Sequence, residues 1–352
     1  MKSILGITLF ILLGFLMAVF IAFPSAFSRK TLPYDYEQQG LNQQIVIKFA
    51  YVVAENTPKG LAAEKFANLV DKDTHGQVKV ELFPDGTLYN EFDEIPALEK
   101  GNIQMTAPSF SIVASQIPQW SIMDLPFAFA NQQAVNAALD GDIGQQLLNT
   151  LPAKNMVGLA LWTNGFRQLT DDKRSLLYPS DLTGLKFRTE TSQVSEAEFR
   201  QMGASALALP FNQLYDQLQR HAVDGEENSI SNIYSQKLYQ VQKYLTISQI
   251  SYLGYVVLIN KPFWNGLSPS FRNEIQQAMA ETTAWERKQA VLLNQQQLQA
   301  MKSQHSMQVT TLTPTQKKQW IQTLQPIYSQ FYKTFGPHLM NDLAAIQRSY
   351  GQ

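Results

Sequence analysis

Residues 45–83 read IVIKFAYVVAENTPKGLAAEKFANLVDKDTHGQVKVELF, and this stretch decides the fold. It opens on a β-branched and aromatic run over 45–53 and passes through Thr57 and Pro58 into a segment with Leu61, Ala62, Phe66, Leu69 and Val70. After Gly76 it returns to Val78, Val80 and Phe83. Steps of three and four residues predict a helix over 58–70, and the flanking runs predict strands over 45–53 and 78–83. Strand, helix, strand is the repeating unit of a parallel α/β layer.

Towards the C-terminus, the turn Pro84-Asp85-Gly86 precedes a predicted helix over 91–100 and a short apolar strand around Met105. The alternation resumes with strands over 156–161 and 185–189 and helices over 194–202 and 212–220, which describes a second α/β lobe. A further strand is expected over 252–259. Ser268-Pro269 then starts a helix, and neither Gly nor Pro recurs until Pro314, so one long helix is expected. Phe271, Ile275, Met279, Thr282 and Trp285 form its packing stripe, placed to brace both lobes, and the glutamines at 295–297 form its solvated face. Thr313 as N-cap, Pro314 in the first turn and Gln316 in the capping-box position announce a last helix carrying Trp320, Ile321, Leu324 and Tyr328.

Towards the N-terminus, residues 29–44 are polar, carry Pro33 and Gly40, and read as a tether. Before it, Lys2 is followed by a charge-free apolar run over 4–23 and by Pro24-Ser25-Ala26. This is an export segment, either a signal peptide cleaved near Ala26-Phe27-Ser28 or an uncleaved membrane anchor. Either way the body is expected outside the cytoplasm.

Composition narrows the function. With 45% hydrophobic and 16% charged residues over 352 positions, the chain can bury a large core, and its net charge of -1 offers no basic surface for nucleic acid. The absence of cysteine removes thiolate catalysis, disulfides and cysteine metal sites, and four histidines without a metal-binding spacing argue against a catalytic transition metal. No cofactor and no metal are expected.

Several residues are candidates for a site. In the strand 184–189, alternation sends Leu185 and Phe187 to one face and Lys186 and Arg188 to the other, so Arg188 projects from rigid backbone as a carboxylate clamp or as one half of a surface salt bridge. Lys59 lies in the first turn of a helix, where the dipole disfavours a cation but an arriving anion would be received. Ser109 reads as an N-cap or as a hydroxyl for a ligand. Glu226 and Glu227 point to opposite faces of a strand and lack a nucleophile or metal partner, so solvated or structural roles are expected for them. Asn228 offers a donor and an acceptor in one side chain.

Six motifs occur in order: Thr57-Pro58-Lys59-Gly60, Ala107-Pro108-Ser109, Met123-Asp124-Leu125-Pro126-Phe127, Asn164-Gly165-Phe166-Arg167, Gly184-Leu185-Lys186-Phe187-Arg188, and Val223-Asp224-Gly225 through Asn228. Together they resemble the TRAP transporter solute-binding family. Asn232-Ile233-Tyr234-Ser235, Val241-Gln242-Lys243-Tyr244-Leu245 and Phe263-Trp264-Asn265-Gly266-Leu267 are similar to its C4-dicarboxylate-binding branch, the DctP type.

The resemblance implies an α/β fold of the two-lobed periplasmic-binding-protein kind, with a hinge and a long helix spanning both lobes. Residues 1–28 would be the signal peptide or anchor and 29–44 the tether. Lobe I would comprise 45–165 with about 254–292, and lobe II 166–253 with about 293–352. It further implies Arg188 as principal carboxylate clamp, Asn228 as a second contact, Phe211 as an apolar wall, and Lys59, Ser109 and Arg167 as further contacts. The implied ligand is a small organic acid, a C4-dicarboxylate such as succinate, fumarate or malate, and the implied partner is a TRAP permease with separate small and large membrane subunits.

Three positions depart from the family pattern. Tyr51 and Ile250 stand where histidines are expected, and Glu226 replaces a glutamine. Losing two cationic groups would weaken a preference for a second carboxylate, which leaves a monocarboxylate or an atypical diacid open. A ligand-sensing subunit for a membrane receptor kinase is the alternative reading, and an extracytoplasmic enzyme a third. No G-x-S-x-G, metal spacing or phosphate loop supports an enzyme.

Overall fold

The computed structural model describes residues 44–351, so the expectations for the export segment and for nearly all of the tether fall outside the described residues. The first unit has the anticipated order, with a strand that ends at Ala50 rather than Val53 and a helix that runs on to Asp73. Strand β1 (Ile45–Ala50) leads to helix α1 (Pro58–Asp73) and strand β2 (Val78–Phe83), with Ile45 to Ala50 in parallel register against Val78 to Phe83. Helix α1 starts at Thr57 because its side chain accepts the Gly60 N–H at 3.1 Å and Pro58 needs no donor partner there.

Helix α2 (Glu94–Glu99) begins later than expected. The Asn90 side-chain oxygen takes the Phe92 N–H at 2.8 Å and fixes residues 90–93 as a turn. Strand β3 (Met105–Thr106), helices α3 (Phe110–Ala114), α4 (Gln132–Asp140) and α5 (Asp142–Leu148) and strand β4 (Met156–Phe166) follow. The chain then crosses to a second layer of β5 (Gln168–Asp171), β6 (Lys186–Thr189), α6 (Gln193–Gln201), β7 (Ser205–Ala208), α7 (Leu214–Gln219), β8 (Gly225–Asn228), α8 (Ile230–Ser235) and β9 (Tyr244–Ile247). It returns as β10 (Tyr252–Asn260) and α9 (Lys261–Gly266), runs through the long helix α10 (Pro269–Ser303), and ends with β11 (Gln308–Thr311) and α11 (Pro314–Tyr350).

Two sheets result, ordered β2-β1-β3-β10-β4 and β11-β9-β5-β8-β6-β7. Both are mixed, which corrects the expectation of purely parallel layers. In the first sheet β10 runs antiparallel to β3 and β4, and in the second β5 runs antiparallel to β8 and β9. Both reversals come from chain crossings: β10 arrives from the other layer rather than through a local helical crossover. The two crossing segments are joined at one point, where Arg167 N–H donates to Ser251 O at 2.8 Å and Ile250 N–H donates to Arg167 O at 3.1 Å.

Helix α10 packs against α1 and β4 of the first layer and α8 of the second, so it spans both lobes. Its buried stripe is Ile275, Met279, Thr282, Glu286, Ala290, Gln297 and Met301. Two expectations change here. Glu286 takes the place expected of Trp285, which is half-buried, and its carboxylate accepts the Thr163 N–H at 3.1 Å; Gln297 is buried rather than solvated.

Helix α11 forms the anticipated capping box between Thr313 and Gln316 and buries Trp320 and Leu324, but Ile321 faces solvent. It bends at Gly336, whose φ of 75° suits a residue without Cβ, ahead of Pro337, and it lies against α4, α5 and α6. No helix among the described residues is long and apolar enough to cross a membrane.

Candidate functional site

A narrow cavity of about 10 Å³, room for about one water molecule, lies where the two layers meet. Val52, Lys59, Glu91, Glu94, Ser109 and Tyr255 face it from the first layer, and Glu190, Phe211, Asn228 and Asn232 from the second. Four of the six site residues expected from the sequence, Lys59, Ser109, Phe211 and Asn228, therefore line one cavity. Arg188 and Arg167 stand immediately behind it, each bonded to an acid that does.

Lys59 leaves the first turn of α1 with nowhere to reach water and is 1% exposed. Its Nζ donates to Ala107 O at 2.8 Å and lies 3.9 Å from the centroid of the Tyr255 ring. Burial pulls its pKa down to about 8 against the opposing pull of Glu94 and Glu190. Ser109 is the N-cap that the sequence predicts, placed at the cavity, and it caps α3 by accepting the Ile112 N–H at 3.2 Å.

Arg188 is not a surface residue: it is 1% exposed, its Nε donates to Leu209 O at 2.9 Å, and its Nη2 meets Glu91 Oε1 at 2.7 Å. The same Glu91 oxygen accepts the Phe211 N–H at 3.1 Å. Glu91 belongs to the first layer, and Arg188 and Phe211 to the second, so this carboxylate fastens one layer to the other. The Phe211 ring lies 5.8 Å from the guanidinium carbon, and the residue lines the cavity. Burial pushes Glu91 up to about 7 although Arg188 opposes it.

Arg167 sits at the crossing point of the two chains and gathers acids from both layers. Nη1 meets Asp124 Oδ1 at 3.2 Å and Glu227 Oε1 at 3.9 Å, while Nη2 donates to Ser111 Oγ at 2.9 Å and pairs closely with Glu190. Burial alone would raise the Glu190 carboxyl, but the two guanidinium groups hold it below the ordinary carboxylate range.

On β8, alternation does separate Glu226 from Glu227, yet neither is solvated as the sequence allowed. Glu226 accepts from Asn228 Nδ2 at 3.1 Å and is pushed by burial up to about 7, while Glu227 faces Arg167. Asn228 Oδ1 accepts from Asn232 Nδ2 at 2.8 Å, and Asn164 Nδ2 donates to the Tyr255 hydroxyl at 2.7 Å. Every amide at this end of the cavity is thereby oriented.

Sequence reasoning missed Glu91, Glu94, Glu190, Asn232 and Tyr255. Glu91 and Glu94 looked like the polar start of a helix, and no local spacing distinguishes that from a buried pair. Tyr51 and Ile250, the two departures from the family's histidines, are both buried in the core. Tyr51 packs on Phe49, ring centroids 5.6 Å apart, in the core against α1, and Ile250 is a buried residue of the crossing segment; neither lines the cavity. Among the described residues no group of His, Asp and Glu side chains is arranged to hold a metal ion.

The family model of bacterial extracellular solute-binding protein, family 7, of the DctP type, matches residues 49–334. The chain belongs to this family.

This solute-binding protein is 42% identical over 348 residues to the C4-dicarboxylate-binding protein DctB of Bacillus subtilis, covering 99% of each chain. Its fold matches that of a TRAP periplasmic solute-binding protein from Sulfurospirillum deleyianum with bound succinate, at a TM-score of 0.83 and 39% identity over 86% of this chain and 99% of the other. It also matches one from Pseudomonas aeruginosa with bound L-malate, at a TM-score of 0.79 and 34% identity over 81% and 99% of the two chains. The matched family is one of extracellular solute-binding proteins.

Proposed function

We propose that this solute-binding protein captures a C4-dicarboxylate such as succinate or L-malate between its lobes and delivers it to the membrane subunits of a TRAP permease. The observation that carries the reading is a cavity faced from both layers, with Lys59 lining it and Arg188 and Arg167 directly behind its carboxylates Glu91 and Glu190. A dianion removed from water needs fixed cations and donors at both ends, and Arg188, once Glu91 is withdrawn from it, and Lys59 would supply them. The relatives named for C4-dicarboxylates and the neighbours with succinate and L-malate support the same ligand class.

In this reading lobe I comprises 45–165 with about 254–292 and lobe II 166–253 with about 293–352. Separating the lobes withdraws Glu91 from Arg188, since the two come from different layers, and frees the guanidinium. A ligand carboxylate then takes that place as a charge-assisted, two-point contact, with Asn228 beside it and Phe211 as the wall. Closure about the Arg167–Ile250 crossing brings up Lys59 and Ser109 from the other lobe, and the closed form is what the permease recognises. The protein acts outside the cytoplasm, exported by its N-terminal segment.

Isothermal calorimetry with succinate, L-malate and a sugar acid tests the ligand class, and the same titration on Arg188→Ala tests the clamp. Saturable succinate binding lost in the variant is the expected result. Tight binding of the sugar acid alone would overturn the C4-dicarboxylate assignment.

A further inference from the structure

Three carboxylates line the cavity, and two of them have a guanidinium of their own: Glu91 on Arg188 and Glu190 on Arg167. Glu94 has none. Its side chain is fully buried, neither carboxylate oxygen has a hydrogen-bond partner of good geometry, and no ion pair within 4.0 Å joins it to Lys59, whose ammonium is committed to Ala107 O and the Tyr255 ring. The groups that face it are Lys59 from α1, Glu91 from the turn before α2 and the Thr106 hydroxyl of β3.

A buried carboxylate with no ion pair is disfavoured, and burial raises Glu94 to about 8 although Lys59 and the Thr106 hydroxyl oppose it. Its surroundings favour the protonated form, a carboxylic acid with one O–H to give, and it lines the cavity. An acid held neutral by its surroundings is a donor suited to an anion.

We infer that Glu94 is a specificity-determining residue of this site: as a neutral carboxyl it donates its O–H to the second carboxylate of the ligand, beside Lys59, while Arg188 holds the first. The inference rests on the diacid reading above. A ligand with a methyl group at that end would leave the Glu94 O–H unpaired against carbon, so the residue discriminates against monocarboxylates of equal length.

The test compares succinate with butyrate, which differ only in the second carboxylate, by calorimetry at pH 6.5 on the full-length protein and on Glu94→Gln and Glu94→Leu. Glutamine keeps a permanent donor and is expected to hold the succinate-to-butyrate affinity ratio within about threefold of the native value. Leucine removes the donor and is expected to lower the ratio about tenfold or more, with butyrate affinity unchanged or improved. Leucine is also expected to raise the melting temperature measured without added acid by roughly 2 °C or more, because an unpartnered buried polar group is removed.

A residue with a purely structural role would leave the ratio alone, and an unchanged ratio in Glu94→Leu overturns the inference while leaving the diacid reading in place. A rise in succinate affinity in Glu94→Gln would mean that an ionised Glu94 repels the ligand, and it also overturns the inference. Failure of the native protein to bind succinate would overturn the diacid reading and this inference with it.

Discussion

Replacing Arg188 by alanine should cost most of its stability through Glu91 rather than through the arginine itself. The guanidinium is 1% exposed and 2.7 Å from Glu91 Oε1, so its removal leaves a buried carboxylate with only the Phe211 N–H, at 3.1 Å, as donor. Breaking a buried ion pair from one side typically costs about 3–5 kcal/mol. That magnitude applies where Glu91 is ionised. Because burial already places Glu91 near 7, its carboxyl is neutral at pH 5.5, and the loss there reduces to the hydrogen bonds and packing of Arg188, about 1–3 kcal/mol. The assay is a double-mutant cycle of Arg188→Ala and Glu91→Gln, read by urea denaturation at pH 5.5 and pH 8. At pH 8 the second substitution should offset part of the first, with a coupling of about 1–3 kcal/mol, and at pH 5.5 the coupling should shrink. Equal costs of Arg188→Ala at both pH values, with no offset from Glu91→Gln, would refute the reasoning. Since the pair joins the two layers, small-angle scattering should also show Glu91→Gln expanded relative to the native protein in the absence of added acid.

Other expectations follow from the same buried groups. Burial raises Glu91 and Glu226 to about 7 and Glu94 and Glu286 to about 8, above the ordinary 4.5, so between these values the folded protein binds more protons than the unfolded chain. Stability therefore falls as pH rises through that window, and the melting temperature without ligand should be higher at pH 5.5 than at pH 8.5; a flat profile would contradict the burial of these acids. Glu286→Gln keeps an acceptor for the Thr163 N–H without the charge, so its melting temperature should match the native one at pH 5.5 and exceed it increasingly towards pH 9. A Cβ at Gly165 would lie 3.2 Å from the Asn294 amide, which donates to Asn164 O at 2.7 Å and accepts the Ser231 N–H at 3.0 Å. Gly165→Ala should cost about 1–3 kcal/mol in denaturation experiments, and Asn294→Ala should relieve part of it. Arg167→Ala would strand Asp124, Glu190 and Glu227 together, and soluble expression should fail or require acid pH, whereas normal yield at pH 8 would argue that the acids find other partners.

The sequence by itself determined the element order over most of the body, because apolar periodicity and caps are local. The Thr313 cap, a strand starting at 45, the strand over 78–83 and the long helix beginning at Pro269 all follow from residues within a few positions of each other. The ordered motifs likewise identified the family and brought Lys59, Ser109, Phe211 and Asn228 forward as one set. Only the tertiary structure decided what those residues meet. Arg188 and Glu91 are separated by 97 positions, Arg167 and Asp124 by 43, and Glu286 and Thr163 by 123, so nothing in local spacing could pair them. The same is true of sheet direction: β10 becomes antiparallel because the chain has already crossed to the other layer and come back. Whether an acid such as Glu94 is a solvated helix start or a neutral donor inside a cavity depends on how much water the surrounding layers exclude, and that is a property of their packing rather than of its neighbours in the chain.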